Sequence, residues 1–340
     1  VLAVALLAGC GTGTGASGRL DATARSGGSA YATTILPPPA APLSEFADPA
    51  TVKAAVSAGQ SVTRLPSTAL SNVEDLASEK LNIGYLGDGV ATRCPRLAEF
   101  QARLSVANCT FGDRAASKTI VLLGDSRAQM WFETINAIAT AQHWKLIVLT
   151  KAGCPAAVGS FRATTPAGVE TNAPSTACDS WHQFLLATVR RIGPQVIIDS
   201  SSPNLLLEGG KGFATPARTV TAMEGFFRAL PSGSEKVLLG GFPNPYPSPV
   251  LCLSKNPMSA EKCSYRPTAL QLGLNAAAQR AAARSGVGYI SESPWLCAAT
   301  CPAVIDGLVP YTLDGFHIQS EFATYLTGVM WAGLEPYLDR

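Results

Sequence analysis

Charge is scarce in this chain: Asp, Glu, Lys and Arg make up 15% of its 340 residues, and the formal net charge is only +2. No dense Lys/Arg block occurs, so the electrostatic footprint of a nucleic-acid binder is missing. Histidine is rarer still, at three residues: His143, His182 and His317. With no Cys-x-x-Cys pair and no clustered histidines, there is no metal-ligand spacing to build on. No Gly-x-Ser-x-Gly occurs, which argues against the ordinary nucleophile elbow. The segment "LEGGKGF" at 207–213 contains Gly-Lys but not the spacing of a nucleotide-binding loop. Beyond the N-terminus no uninterrupted apolar run approaches the ~18 residues of a membrane span. No internal repeat is evident. Hydrophobic residues nevertheless reach 47%, enough for a sizeable core. We therefore expect a soluble fold of one large domain plus a tail.

The chain opens "VLAVALLAGCGTGTGASG". Its apolar stretch ends in Leu7-Ala8-Gly9-Cys10, which resembles a bacterial lipoprotein cleavage box and implies removal of residues 1–9 and a lipid on Cys10. No positive region precedes it, so residues 1–10 read as an incomplete signal segment of lipoprotein type. Glycines 9, 11, 13 and 15 follow no strand and are not a phosphate loop. Residues 11–50 are rich in Gly, Ala, Ser, Thr and Pro, with "LPPPAAP" at 36–42, and read as a flexible tether. Residues 51–93 read as an N-terminal extension of one or two short helices, without visible chemistry. The regular domain is expected over 94–340.

After Cys10 an even set of eight cysteines remains, in local couples: Cys94 and Cys109, Cys154 and Cys178, Cys252 and Cys263, Cys297 and Cys301. Eight cysteines allow 105 connectivities, so sequential pairing is a working hypothesis rather than a deduction. Disulfides across loops in an oxidising compartment account for the pattern, and they point to export independently of the N-terminus.

Short β-rich apolar runs recur at 119–123, 145–149, 195–199, 236–240 and 287–290, and helical stretches follow near 126–142, 178–192, 215–230, 266–285 and 319–335. In 178–192, Trp181, Leu185, Val189 and Ile192 fall near one helical face. Near-continuous apolar strands alternating with helices predict a parallel sheet covered on both faces, a three-layer α/β/α sandwich. Ligands in such sheets collect beyond the carboxyl ends of the strands.

Just past the first of those strands stands Gly124-Asp125-Ser126, in "TIVLLGDSRAQMW". A serine hydroxyl is a weak nucleophile until an oriented base takes its proton. His143 sits at a predicted helix end, where a structural or exposed place is expected. His182 sits on a helix beside Trp181 and reads as a packing or surface residue. His317, in "YTLDGFHIQ", follows Asp314 by three positions, and such a turn can fold the carboxylate back onto the imidazole. Asp125 is expected to shape the turn or cap the helix; Trp131 and Phe132 are expected to pack in the core or wall the pocket.

Together, the post-strand Gly-Asp-Ser and the late Asp-x-x-His resemble the SGNH (GDSL-like) hydrolase superfamily. The resemblance implies a flavodoxin-like fold with a central five-stranded parallel sheet and no metal or diffusible cofactor. It also implies Ser126 as nucleophile, His317 as general base and acid, and Asp314 as the orienting carboxylate. For the oxyanion hole it implies the Ser126 N–H, Gly153 after the second strand and Asn204 after the third. Around Asn204, "SSSPNLL" has Ser202 where the superfamily has Gly and Leu205 where it has Asp. Over about 94–335, "LTKAGCP", "CDSW", "PQVIIDSS" and "LCAATCPAVIDGLVPYTLDGFHIQ" are similar to the extracytoplasmic SGNH domain found fused to membrane sugar O-acyltransferases, in which His often stands at the place of Arg127.

That similarity implies an exported, lipid-anchored serine O-acyl esterase, with acetyl the expected group and a cell-envelope carbohydrate or glycolipid the substrate. The relatives' multi-helix membrane domain has no counterpart in these 340 residues, which favours hydrolysis over transfer. The alternatives are an O-acyltransferase served by a separate membrane acyl donor protein, or a non-catalytic glycan-binding envelope lipoprotein.

Overall fold

The computed structural model describes residues 41–78, 94, 101–164, 170–202, 206–207, 214–245 and 247–338. Cys10 and Asn204 lie outside the described residues, as do the signal segment and most of the range read as a tether.

Five strands run parallel: β2 (Thr119–Gly124), β3 (Lys145–Thr150), β6 (Val196–Ser200), β8 (Glu235–Gly240) and β9 (Gly288–Ser291). They lie in the order β3-β2-β6-β8-β9. Each falls within a residue of an apolar run read from the sequence. Every residue of β2 is buried, as expected for a strand covered on both faces. A sixth strand, β1 (Thr110–Gly112), extends the sheet by pairing antiparallel with β3, Thr110 opposite Ile147. So short a strand, with Phe111 its one large apolar residue, has no periodicity to detect. A second sheet of β4 (Ser160–Thr164), β5 (Glu170–Pro174) and β7 (Leu206–Leu207) was likewise not legible.

The pleat divides each strand between two cores. From β2, Ile120 and Leu122 face a cluster with Phe132, Ile135, Phe322, Leu326 and Met330. Val121 and Leu123 face another with Trp181, Leu185, Val189, Met223 and Phe226. The first layer is built by α4 (Phe132–Ala141), α9 (Ser320–Tyr325) and α10 (Thr327–Leu338). Opposite lie α5 (Thr176–Ile192), α6 (Pro216–Ala229) and α8 (Ala269–Arg284). Local signals set the ends of α5: the Ser175 side chain accepts from Cys178 N–H, and Gly193 closes the helix in the left-handed region.

Among the described residues, two α-helices precede the sheet. Helix α1 (Pro49–Gly59), capped by Asp48, sends Val52 and Val56 into the first core. Helix α2 (Ser67–Ser78) packs with α7 (Pro249–Lys255) in a satellite cluster that includes Val73, Leu76, Val250 and Leu253. Disulfides join Cys94 to Cys109, Cys154 to Cys178, Cys252 to Cys263 and Cys297 to Cys301. Among the described residues, no helix is long and apolar enough to cross a membrane.

Candidate active site

In chain order the five parallel strands lie second-first-third-fourth-fifth across the sheet, so the order reverses between β2 and β6. A crevice beyond the carboxyl ends of these two strands is where such a sheet offers a site. Gly124 ends β2 there at φ 137°, and an added Cβ would stand 2.0 Å from the Ser200 carbonyl oxygen. Only glycine fits this crossing. The chain then turns into a short helix, α3 (Ser126–Met130), whose N-cap is Asp125.

Asp125 is fully buried and holds two elements together. Its Oδ1 accepts from Arg127 N–H at 2.8 Å, and its Oδ2 accepts from Ser202 N–H, just past β6, at 2.9 Å. Burial pushes its carboxyl above the ordinary value, against the pull of those two N–H groups. Its place is the capping role expected from the sequence. Ser126, next in line, stands half-buried at the helix start.

The distant segment 310–319 arrives over α3, with Ile318 N–H donating to Met130 Sδ at 3.5 Å. Within it Asp314 organises the turn. Its Oδ1 accepts from Thr312 Oγ1 at 2.8 Å and from the N–H groups of Phe316 and His317 at 2.7 and 3.2 Å. Its Oδ2 lies 2.7 Å from His317 Nδ1, and His317 Nε2 lies 2.8 Å from Ser126 Oγ. Burial alone would raise the Asp314 carboxyl, but the bonds and charge of His317, with Thr312 and Phe316, hold it below its ordinary value. An ionised carboxylate only accepts, so His317 Nδ1 carries the proton in that contact, and in the uncharged ring Nε2 is the acceptor left for the serine hydroxyl. A hydroxyl, a base and an orienting carboxylate thus stand in line, the arrangement that activates a serine for acyl transfer.

Gly153 lies in the turn after β3 at φ 71°, and Lys151 N–H in the same turn donates to the Gly124 carbonyl at 3.1 Å, which sets that turn beside Gly124. The other two histidines stay apart from the serine. His182 packs edge-on against Phe161 and Phe226, with Nε2 2.9 Å from the Pro155 carbonyl. His143 is exposed after α4, 4.0 Å from Asp113.

Arg127, next to the serine in the chain, belongs to a buried polar group that sequence reasoning did not assemble. The guanidinium of Arg127 lies over the Phe242 ring, 4.0 Å from its centroid, and Nη2 donates to Asn244 Oδ1. Burial lowers the Arg127 pKa, while Glu292, Asp125 and Asp314 counter it. Fully buried Glu292 accepts from Trp131 Nε1 at 2.8 Å. Burial raises the Glu292 pKa from 4.5 to about 8, against the pull of Arg127 and Trp131. Arg127 Nη1 and Glu292 Oε2 have no hydrogen-bond partner among the described residues. The one sequence signal for Asn244 was its position, in "GGFPNPYP" beyond the carboxyl end of β8. No group of three or more His, Cys, Asp or Glu among the described residues is arranged to hold a metal ion.

A family model described as "SGNH domain (fused to AT3 domains)" matches residues 93–332. Among solved structures, the periplasmic domain of a lipopolysaccharide acetyltransferase from Salmonella ser. Paratyphi A aligns with a TM-score of 0.54 at 15% identity, over 78% of this chain and 99% of that one. At that identity the likeness is one of fold. A carbohydrate acetylesterase from Sinorhizobium meliloti aligns with a TM-score of 0.41 at 12% identity, over 65% of this chain and 99% of that one. A putative acylhydrolase from Bacteroides fragilis does so with a TM-score of 0.40 at 15% identity, over 68% and 93%. No curated protein matches.

Proposed function

The chain belongs to the SGNH domain family, an esterase or O-acyltransferase, and on that premise we propose a serine O-acyl esterase that removes acyl, foremost acetyl, groups from an envelope carbohydrate or glycolipid. The observation that carries this reading is the unbroken line Ser126 Oγ, His317 Nε2, His317 Nδ1, Asp314 Oδ2, with contacts of 2.8 and 2.7 Å.

In this mechanism Ser126 Oγ attacks the ester carbonyl as His317 Nε2 takes its proton. Asp314 steadies the resulting imidazolium. The tetrahedral oxyanion is held by the Ser126 N–H, with Gly153 and Asn204 as the further donors; losing one such donor typically costs about 3 kcal/mol of barrier. His317 then protonates the departing alcohol, leaving an acyl group on Ser126. Water, deprotonated by His317, attacks the acyl carbon, and its proton returns through the same ring to Ser126. A sugar hydroxyl in place of that water makes the same site a transferase. This second reading is favoured by the family's own description as fused to AT3 domains, and it implies a membrane acyltransferase partner.

Four disulfides support an oxidising, extracytoplasmic location, and we propose Cys10 as the lipid-bearing residue that ties the protein to the outer face of the membrane in a bacterial cell envelope. A Cys10→Ser variant released from the membrane fraction agrees with that; one that stays bound does not. For the chemistry, a fluorophosphonate probe should label the wild-type protein and not Ser126→Ala. Equal labelling of both, or of neither, would overturn the reading. Product analysis of an acetylated donor with and without an oligosaccharide acceptor separates hydrolysis from transfer.

A further inference from the structure

The acyl-transfer line accounts for α3 and the segment around Asp314, but not for the loop that follows β8. That loop bears no titratable side chain among its described residues 241–245, yet it is held from three sides. Tyr265 Oη–H donates to the Pro243 carbonyl at 2.7 Å, and Gln271 Nε2 donates to the Asn244 carbonyl at 2.6 Å. Arg127, the residue after the nucleophile, donates from Nη2 to Asn244 Oδ1. A guanidinium has donors only, so this contact decides which end of the Asn244 carboxamide faces it. Oδ1 points to Arg127 and the Nδ2 amino group points the other way. Asn244 is half-buried, and its Nδ2 makes no hydrogen bond among the described residues.

The same loop meets the turn that carries His317. A Cβ on Gly315 would stand 2.7 Å from the Pro245 carbonyl oxygen, and Gly315 holds φ 67°. The Pro245 carbonyl is therefore seated against Gly315, which puts the loop that carries Asn244 beside the turn that carries Phe316 and His317. Phe316, adjacent to His317, is 49% exposed. An exposed phenyl ring offers apolar surface that gains by being covered, and an amide NH₂ that no acceptor among the described residues takes up is open to a ligand oxygen. A sugar ring supplies both complements: a C–H face for the aromatic ring, and hydroxyl or ring oxygens for the amide.

We propose that Asn244 Nδ2 and the Phe316 ring form the subsite for the carbohydrate alcohol, on the side from which His317 returns the proton to the leaving oxygen. Arg127 acts here as a positioning residue, because it sets the direction of the Asn244 amide and does not itself touch the sugar. The inference rests on the esterase reading for the identity of the alcohol. The rigid anchoring matters because a donor fixed before binding loses little entropy when the ligand arrives.

The test uses the full chain carrying Ser126→Ala, with glucose pentaacetate as probe and binding measured by titration calorimetry. Adding Asn244→Asp keeps an oxygen for Arg127 and the side-chain shape but removes both N–H donors; binding should weaken about tenfold. Adding Phe316→Ala, at an exposed position where folding is not at stake, should weaken it at least about fivefold. In the catalytically intact background, the ratio of kcat/KM for glucose pentaacetate to that for p-nitrophenyl acetate should fall by similar factors, through KM. Unchanged binding in both variants overturns the subsite. So does an equal loss for both esters, which would put Asn244 on the acyl group instead. Loss of ester turnover and probe labelling as such concerns the esterase reading; the binding measurement on Ser126→Ala variants stands apart from it.

Discussion

Replacing Asp314 by Asn changes one atom and tests the proton inventory of the site. Asp314 Oδ1 accepts from Thr312 Oγ1, Phe316 N–H and His317 N–H, and an Asn oxygen in that position keeps all three bonds. The turn should therefore hold its shape. The substituted atom is Oδ2, which lies 2.7 Å from His317 Nδ1. An amide N–H there must donate to Nδ1, so the ring proton moves to Nε2 and points at Ser126 Oγ, 2.8 Å away. The imidazole then faces the hydroxyl as a donor and cannot take its proton. In serine hydrolases of comparable geometry the wrong tautomer lowers kcat by about 10⁴, or roughly 5 kcal/mol of barrier. We expect Asp314→Asn to lose ~10³ to 10⁴ of its kcat on p-nitrophenyl acetate, with KM nearly unchanged and thermal stability close to wild type. Hydroxide should restore part of the rate at alkaline pH. Stopped-flow acylation from pH 6 to 10 makes the measurement. A folded variant within tenfold of the wild-type kcat would refute the argument, because Nδ1 would then need no acceptor.

Glu292→Gln should flatten the pH dependence of stability. The buried carboxyl rises from 4.5 to about 8, so between these values the native state holds a proton that the unfolded chain has released. Stability then falls as pH rises across that window, by about 5 kcal/mol at 1.36 kcal/mol per pH unit, and Gln, which keeps the oxygen for Trp131, should remove that share. Urea unfolding of both proteins at pH 5, 7 and 9 checks this, with a smaller slope remaining from raised Asp125 and Asp199; parallel curves would refute it. Gly124→Ala puts a methyl 2.0 Å from the Ser200 carbonyl in a left-handed conformation, so a loss above about 4 kcal/mol or failure to fold is expected in circular-dichroism melts. Removing the Cys154–Cys178 bridge by a double serine substitution opens a 24-residue loop and should cost about 3 kcal/mol in non-reducing urea titrations; an unchanged midpoint would count against a native bridge.

Much of the scaffold was legible because its strands are covered on both faces. "TIVLL", "KLIVL" and "QVIID" each carry three or four consecutive apolar residues, which put apolar side chains on both faces of the sheet, and such runs stand out between helical periods. The edge strand at Thr110–Gly112 and the small sheet containing Ser160–Thr164 were invisible for the converse reason: they are short or polar, and it is pairing with other segments that makes them strands. The serine, aspartate and histidine were legible as motifs, each carried within a few consecutive residues. Arg127 was noticed only as a departure from its relatives. Nothing in "YISESPW" singles out Glu292; the bond it accepts from Trp131, far away in the chain, exists only in the fold.

By itself the sequence determined the alternation of strands and helices, the scarcity of histidine that left one candidate base, and the cysteine couples. These are local facts, settled by the burial that each segment's own pattern demands. Only the tertiary structure decided that residues 126 and 317 meet at 2.8 Å. It alone decided, too, that Arg127 reaches Asn244 and that Glu292 is buried with Trp131 as its donor. The physical reason is that proton transfer and amide orientation depend on tenths of an ångström across contacts between distant segments, and such distances arise only when the two cores pack around the sheet.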